Sequence, residues 1–147
     1  SHLLLKDTFD NFSFIEGEIT TFNKFTISGF LQEDFFDEKP EETYSRWNKT
    51  RDFCFQIIRG KRTPLGFKIV LALPEDQIPH FLTGPGLTGY RPEEIRGLYL
   101  NFHYDGHHLQ CITGTSLNTF TMDKSIEREW DQEVKNILKS RSIEGDY

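Results

Sequence analysis

The sequence predicts an α+β fold: one domain with an antiparallel sheet of about six strands built from hairpins and a C-terminal amphipathic helix packed on it. Three observations carry that expectation. In GLYLNFHYDGHHLQCITG (Gly97–Gly114) an Asp-Gly pair separates two alternating apolar runs, the pattern of a hairpin whose turn residues take positive φ. Phe67, Ile69, Leu71 and Leu73 alternate with Lys68, Val70 and Ala72, so this strand has one apolar face and one nearly so, as a central strand does. Ile126, Trp130, Val134, Ile137 and Leu138 recur at helical spacing, and such a stripe is stable only when it packs on a partner surface.

The elements follow in order. Leu3, Leu4 and Leu5 read as the tail of an element that begins upstream, so residues 1–6 are expected to be a truncated piece. Phe12–Phe22 and Phe25–Leu31 read as strands joined at Asn23-Lys24, with a bulge at Gly17 that lets Phe12 and Phe14 share a face with Ile19. Acidic Glu33–Ser45, with Pro40 in its middle, is a loop with a helical turn around Phe35 and Phe36. Phe53–Ile58 and Gly66–Leu73 are read as a strand pair joined by the basic loop Arg59–Pro64 (RGKRTP). Pro74 and Glu75 open a short helix to Leu82, interrupted by Pro79, and the Gly- and Pro-rich Gly84–Pro92 is a loop able to border a pocket.

With Asp105-Gly106 as a two-residue turn, Tyr104 faces His107, His103 faces His108 and Asn101 faces Gln110. Leu98, Leu100, Phe102, Tyr104, Leu109 and Cys111 then share the core side, and Tyr99, Asn101, His103, His108, Gln110 and Ile112 the other. Thr119–Met122 adds a last short strand. Asp123 or Ser125 caps the final helix, which runs to Lys139 with Glu127, Glu129 and Asp131 near its positive end. Arg141–Tyr147 is expected to be a mobile tail.

Composition narrows the function classes. A net charge of −6 argues against general nucleic-acid or anionic-membrane binding, which needs a basic surface. The charge is unevenly spread: Arg46–Lys68 is basic, whereas Glu33–Glu42 and Asp123–Glu133 are mainly acidic. Cys54 and Cys111 lack the spacing of a zinc site or a redox pair, which reads as buried free thiols in a reducing compartment, with a Cys54–Cys111 bridge as the other possibility. No apolar run approaches the roughly 18 residues that span a bilayer, and no signal pattern opens the chain, so a soluble cytoplasmic protein is expected.

Candidate chemistry is sparse. His103 and His108, if opposed, would have Cβ atoms about 5 Å apart, close enough to share a divalent metal once a third ligand joins. The plain alternative is an exposed histidine pair near a hairpin tip, so no cofactor is required. Arg59, Lys61 and Arg62 beside Gly60 could hold a phosphate or carboxylate, although the loop lacks the phosphate-loop pattern and a solvated basic loop is the plainer account. Tyr99, Asn101, His103, His108 and Gln110 form the remaining ligand-binding candidate. A Cys111–His couple is disfavoured because Cys111 faces the apolar side.

The segments DTFDNFSFIEGEITTFNKFTISG (Asp7–Gly29), CFQIIRGKRTPLGFKIVL (Cys54–Leu71) and YLNFHYDGHHLQCITGTSLNTFTMDKSIEREWD (Tyr99–Asp131) resemble a small bacterial family described only as a domain of unknown function. The resemblance implies a cytoplasmic bacterial protein with further sequence before Ser1, and transfers no activity or catalytic residue. The residues themselves favour a non-enzymatic binding or regulatory module, contacting a protein or a small anionic ligand. The alternatives are a metal-assisted hydrolase using His103 and His108, and anion or nucleic-acid binding through Arg59–Arg62.

Overall fold

Strands β1 (Ser13–Thr20) and β2 (Lys24–Ser28) pair antiparallel, with Glu16 opposite Ser28 and Thr20 opposite Lys24. A computed structural model describes residues 3–4, 6–60 and 62–143. The bulge expected at Gly17 lies instead between Phe14 and Glu16, in the pairing of β1 with β3 (Gly66–Ala72). That extra residue turns Phe14 and Ile19, of opposite parity in the sequence, onto one face, where both are fully buried. The loop after β2 carries the expected helical turn, a 3-10 turn at Glu33–Phe35.

The largest correction concerns Phe53–Ile58, which is not a strand but the second half of helix α1 (Trp47–Ile58). Its buried positions, Trp47 and Cys54, are seven apart, two helical turns, so Phe53 falls on the outer face and is 66% exposed. The helix start is held by the preceding chain. Trp47 N–H donates to Phe12 O (2.8 Å) and Asn48 N–H to Asp10 O (3.2 Å), which satisfies amides that a helix N-terminus otherwise leaves unpaired.

With β4 (Ile95–Tyr104) and β5 (Leu109–Leu117) the sheet has five antiparallel strands in the order β2-β1-β3-β4-β5. β3 is central, as its alternation predicted. Of the strands expected, residues 53–58 are helical and residues 119–122 form no strand, leaving Phe120 93% exposed.

Contacts divide the chain into two compact units, Ser1–Ala72 with Asn101–Ile112, and Leu73–Leu100 with Thr113–Tyr147. In the first, Phe14, Ile19, Ile69 and Leu71 of the sheet and Trp47 and Cys54 of α1 are fully buried. Trp47 packs on Phe14, ring centroids 5.5 Å apart, and its Nε1–H donates to Leu3 O at 2.8 Å. Phe9 meets Phe102 edge-on at 5.2 Å.

The second unit holds the 3-10 turn Glu75–Gln77, helix α2 (Ile78–Phe81) and helix α3 (Ser125–Ser140). Ile126, Trp130 and Val134 are the buried positions of the predicted stripe. Trp130 Nε1–H donates to Tyr99 O (3.0 Å), its ring meets Phe81 edge-on at 5.8 Å, and Thr113 Oγ1 donates to Asp131. These contacts seat α3 on β4 and β5. The N-cap position of α3 is Lys124, without a side-chain cap bond, rather than the expected Asp123 or Ser125; Asp123, one residue earlier, accepts Ser125 N–H (3.0 Å) and Oγ–H (2.8 Å), and its carboxylate also accepts the Tyr90 hydroxyl (2.6 Å), tying down the 84–92 loop. Ser1, His2, Leu5, Lys61 and residues 144–147 lie outside the described residues, and with them part of the expected terminal stub and tail. Among the described residues no helix is long and apolar enough to cross a membrane.

Candidate ligand-binding site

The hairpin turn sits one residue later than the Asp-Gly pair predicts. Asp105 N–H donates to His108 O (3.3 Å), and Gly106 (φ +97°) is the turn's left-handed residue. Asp105 itself is not left-handed. Its Oδ1 instead accepts the N–H groups of His107 and His108, both at 2.8 Å, and these bonds, His108's first, hold its carboxyl below the usual carboxylate range.

Moving a turn by one residue moves every cross-strand partner by two, so each side chain keeps its face. The Asn101 side-chain amide accordingly donates to Ile112 O (3.1 Å). Opposition of His103 and His108 is lost: His103 faces Gln110, and His108 lies in the turn. Among the described residues no group of three or more His, Cys, Asp or Glu side chains is placed to hold a metal ion.

In the first unit the sheet has one buried and one open face. Phe67, Ile69 and Phe102 point into the core, while Glu16, Lys68, His103, Gln110 and Ile112 are exposed, and Glu18, Thr20 and Asn101 half-buried. This open face carries a shallow cavity of about 280 Å³ lined by Glu18, Thr20, Gly66, Lys68, His103 and Asp105 among others. Position 66 favours glycine, because a Cβ there would lie 2.7 Å from Tyr104 O. Glu18 lies directly across from Lys68, yet its carboxylate pairs with Lys24 at 3.1 Å. Among the described residues Lys68 forms no ion pair.

The structure thus brings His103 beside Glu18, Thr20 and Lys68, which sequence reasoning left out of the site. Their signal was present: each is the polar member of an alternating strand, Glu18 between Gly17 and Ile19, Lys68 between Phe67 and Ile69. Which strands are neighbours was not legible. Asn101 and Gln110 share the open face outside the cavity, and Tyr99 falls in the second unit, half-buried, with its ring lying over Gly97. Arg59 and Arg62 are exposed between α1 and β3 and do not line the cavity, and Lys61 is outside the described residues. Cys54 and Cys111 are free, and burial pushes each thiol up to about 11, so neither is a thiolate nucleophile at neutral pH.

Fold and site define a class: an α+β domain whose five-stranded antiparallel sheet leaves a polar, open face in its first unit. The chain belongs to a family of unknown function (DUF5721), whose model matches residues 2–146. No curated protein and no solved structure matches it.

Proposed function

We propose that the protein is a non-enzymatic binding module that takes a small anionic ligand, a carboxylate or phosphate, on the open sheet face of its first unit. One observation carries the reading: Lys68, without an ion pair among the described residues, stands beside Thr20 and His103 in the lining of a cavity of about 280 Å³, where Glu18, paired with Lys24, and Asp105 are the two carboxylates. An ammonium, a hydroxyl and an imidazole are all able to donate to an oxyanion. Binding rather than catalysis is the better reading because Lys68 and His103 are open to water, whereas charge stabilisation in catalysis works best where water is excluded.

Titration with inorganic phosphate and with acetate, followed by amide chemical shifts, tests the reading. Saturable shifts centred on Gly66, Lys68 and His103 are expected, with Lys68→Ala weakening binding by about tenfold and the Arg59→Ala/Arg62→Ala double variant leaving it unchanged. Shifts confined to Arg59 and Arg62, or no saturable response, would overturn it.

A further inference from the structure

The second unit contains a separate cleft of about 330 Å³, and its chemistry is the opposite of the site above. Leu73 and Phe81, both half-buried, supply its apolar surface, and Phe81 is braced edge-on against Trp130. Helix α3 contributes Glu129 and Glu133 to the lining, the 3-10 turn Gln77 and α2 His80. The wall made by the 83–87 loop is built in advance. Thr83 donates to His80 O through both N–H (3.1 Å) and Oγ (2.7 Å), Gly84 N–H to Phe81 O (3.2 Å), and Leu87 N–H to Gly84 O (3.2 Å).

Glu129 and Glu133 stand one helical turn apart, about 5–6 Å between Cβ atoms, where like charges repel. Nothing along the helix offsets them: Ser125, Ile126, Trp130, Gln132, Asn136 and Ile137 occupy the other positions three and four residues away. Among the described residues neither carboxylate forms an ion pair. A cleft lined by two carboxylates without an ion pair and by the apolar surface of Leu73 and Phe81 is complementary to a cation on an aliphatic stem. Its volume is at the lower end of small-molecule sites, which limits the occupant to a short chain.

We propose that this cleft binds a small alkylamine, its ammonium between Glu129 and Glu133 and its methylenes on Leu73 and Phe81. The proposal is independent of the anion reading, since it uses other residues in the other unit.

Isothermal titration and amide shifts with putrescine test it, with butane-1,4-diol as the uncharged molecule of the same length. Putrescine should saturate with shifts centred on Leu73, Phe81, Glu129 and Glu133, and the diol should bind at least about tenfold more weakly. Glu129→Gln/Glu133→Gln, which keeps helix and shape, should weaken putrescine by at least about tenfold with no loss of thermal stability. Equal binding of diol and diamine, an unchanged affinity in the double variant, or shifts spread over the acidic surface without saturation would each overturn it. Lys68→Ala should leave putrescine binding unchanged, so failure here and failure of the anion site are distinguishable.

Discussion

Trp47→Phe should destabilise the protein by about 3 kcal/mol, and the figure follows from two features of one side chain. Trp47 is fully buried, and its indole N–H is bonded to Leu3 O at 2.8 Å. Phenylalanine has no donor, so the Leu3 carbonyl is left unpaired in the interior, which costs about 1–3 kcal/mol. The smaller ring also leaves a void against Phe14, whose centroid is 5.5 Å from that of Trp47; the lost apolar burial and cavity add roughly 1–2 kcal/mol. With a urea dependence of about 2 kcal/mol per molar, the unfolding midpoint should fall by roughly 1.5 M. Trp130, the other of the two tryptophans, serves as the fluorescence reporter, with far-UV circular dichroism as the second probe. A loss below about 1 kcal/mol would refute the reasoning, since it would mean that neither the buried hydrogen bond nor the stack is formed. So would an intact urea midpoint accompanied by faster proteolysis before β1, because the bond would then order the segment without stabilising the fold.

Two further outcomes are expected. Gly66→Ala places a Cβ 2.7 Å from Tyr104 O, a backbone atom that cannot swing aside, so β3 and β4 must separate; a loss of roughly 1–3 kcal/mol in urea unfolding is expected, and wild-type stability would show that the strands have room. Asp105 has a lowered pKa, with hydrogen bonds from His108 and His107 as the two largest causes, so its contribution to the turn is fully present above the unfolded value of about 3.9 and lost as pH falls through the lower folded value. Amide exchange at His107 and His108 should therefore stay flat from neutral pH to about 4 once corrected for intrinsic rates, and Asp105→Ala should speed it throughout; an ordinary carboxylate midpoint by NMR titration would contradict the two bonds.

Periodicity was readable wherever one element decided its own burial. The alternation through Phe67, Ile69 and Leu71 marked the central strand, and the Ile126–Trp130–Val134 stripe marked α3, because in both the buried residues follow the period of the element itself. The Cys54 region misled because CFQII is apolar and β-prone when taken alone. What makes it helical is distant in sequence: Trp47 two turns earlier, and the carbonyls of Asp10 and Phe12 that receive the first amides of α1. Propensity over six residues does not contain that information. The hairpin tip shows the same limit on a smaller scale. Asp-Gly identified the turn, but Asp105 forms two side-chain hydrogen bonds to the backbone in place of a left-handed conformation, and the register moved with it.

That displacement also decides which chemistry the open face supports. A direct His103–His108 pair would have supplied two neutral nitrogen donors at one point, the beginning of a metal site. Shifted by two residues, His103 stands with Thr20, Gly66 and Lys68 in the lining of one cavity. The adjacent Glu18 carboxylate is engaged by Lys24 at 3.1 Å, which leaves the Lys68 ammonium available to a ligand. The second unit has the reverse arrangement, two carboxylates with no cation on a helix whose spacing supplies none. In a chain of net charge −6 the long-range field favours the cation site and opposes the anion site, and added salt weakens both contributions. Raising ionic strength should therefore weaken putrescine binding steeply, while phosphate, drawn by Lys68 locally but repelled by the whole, should respond much less. Equal salt dependence at the two sites would show that local pairing, rather than the field of the chain, controls both.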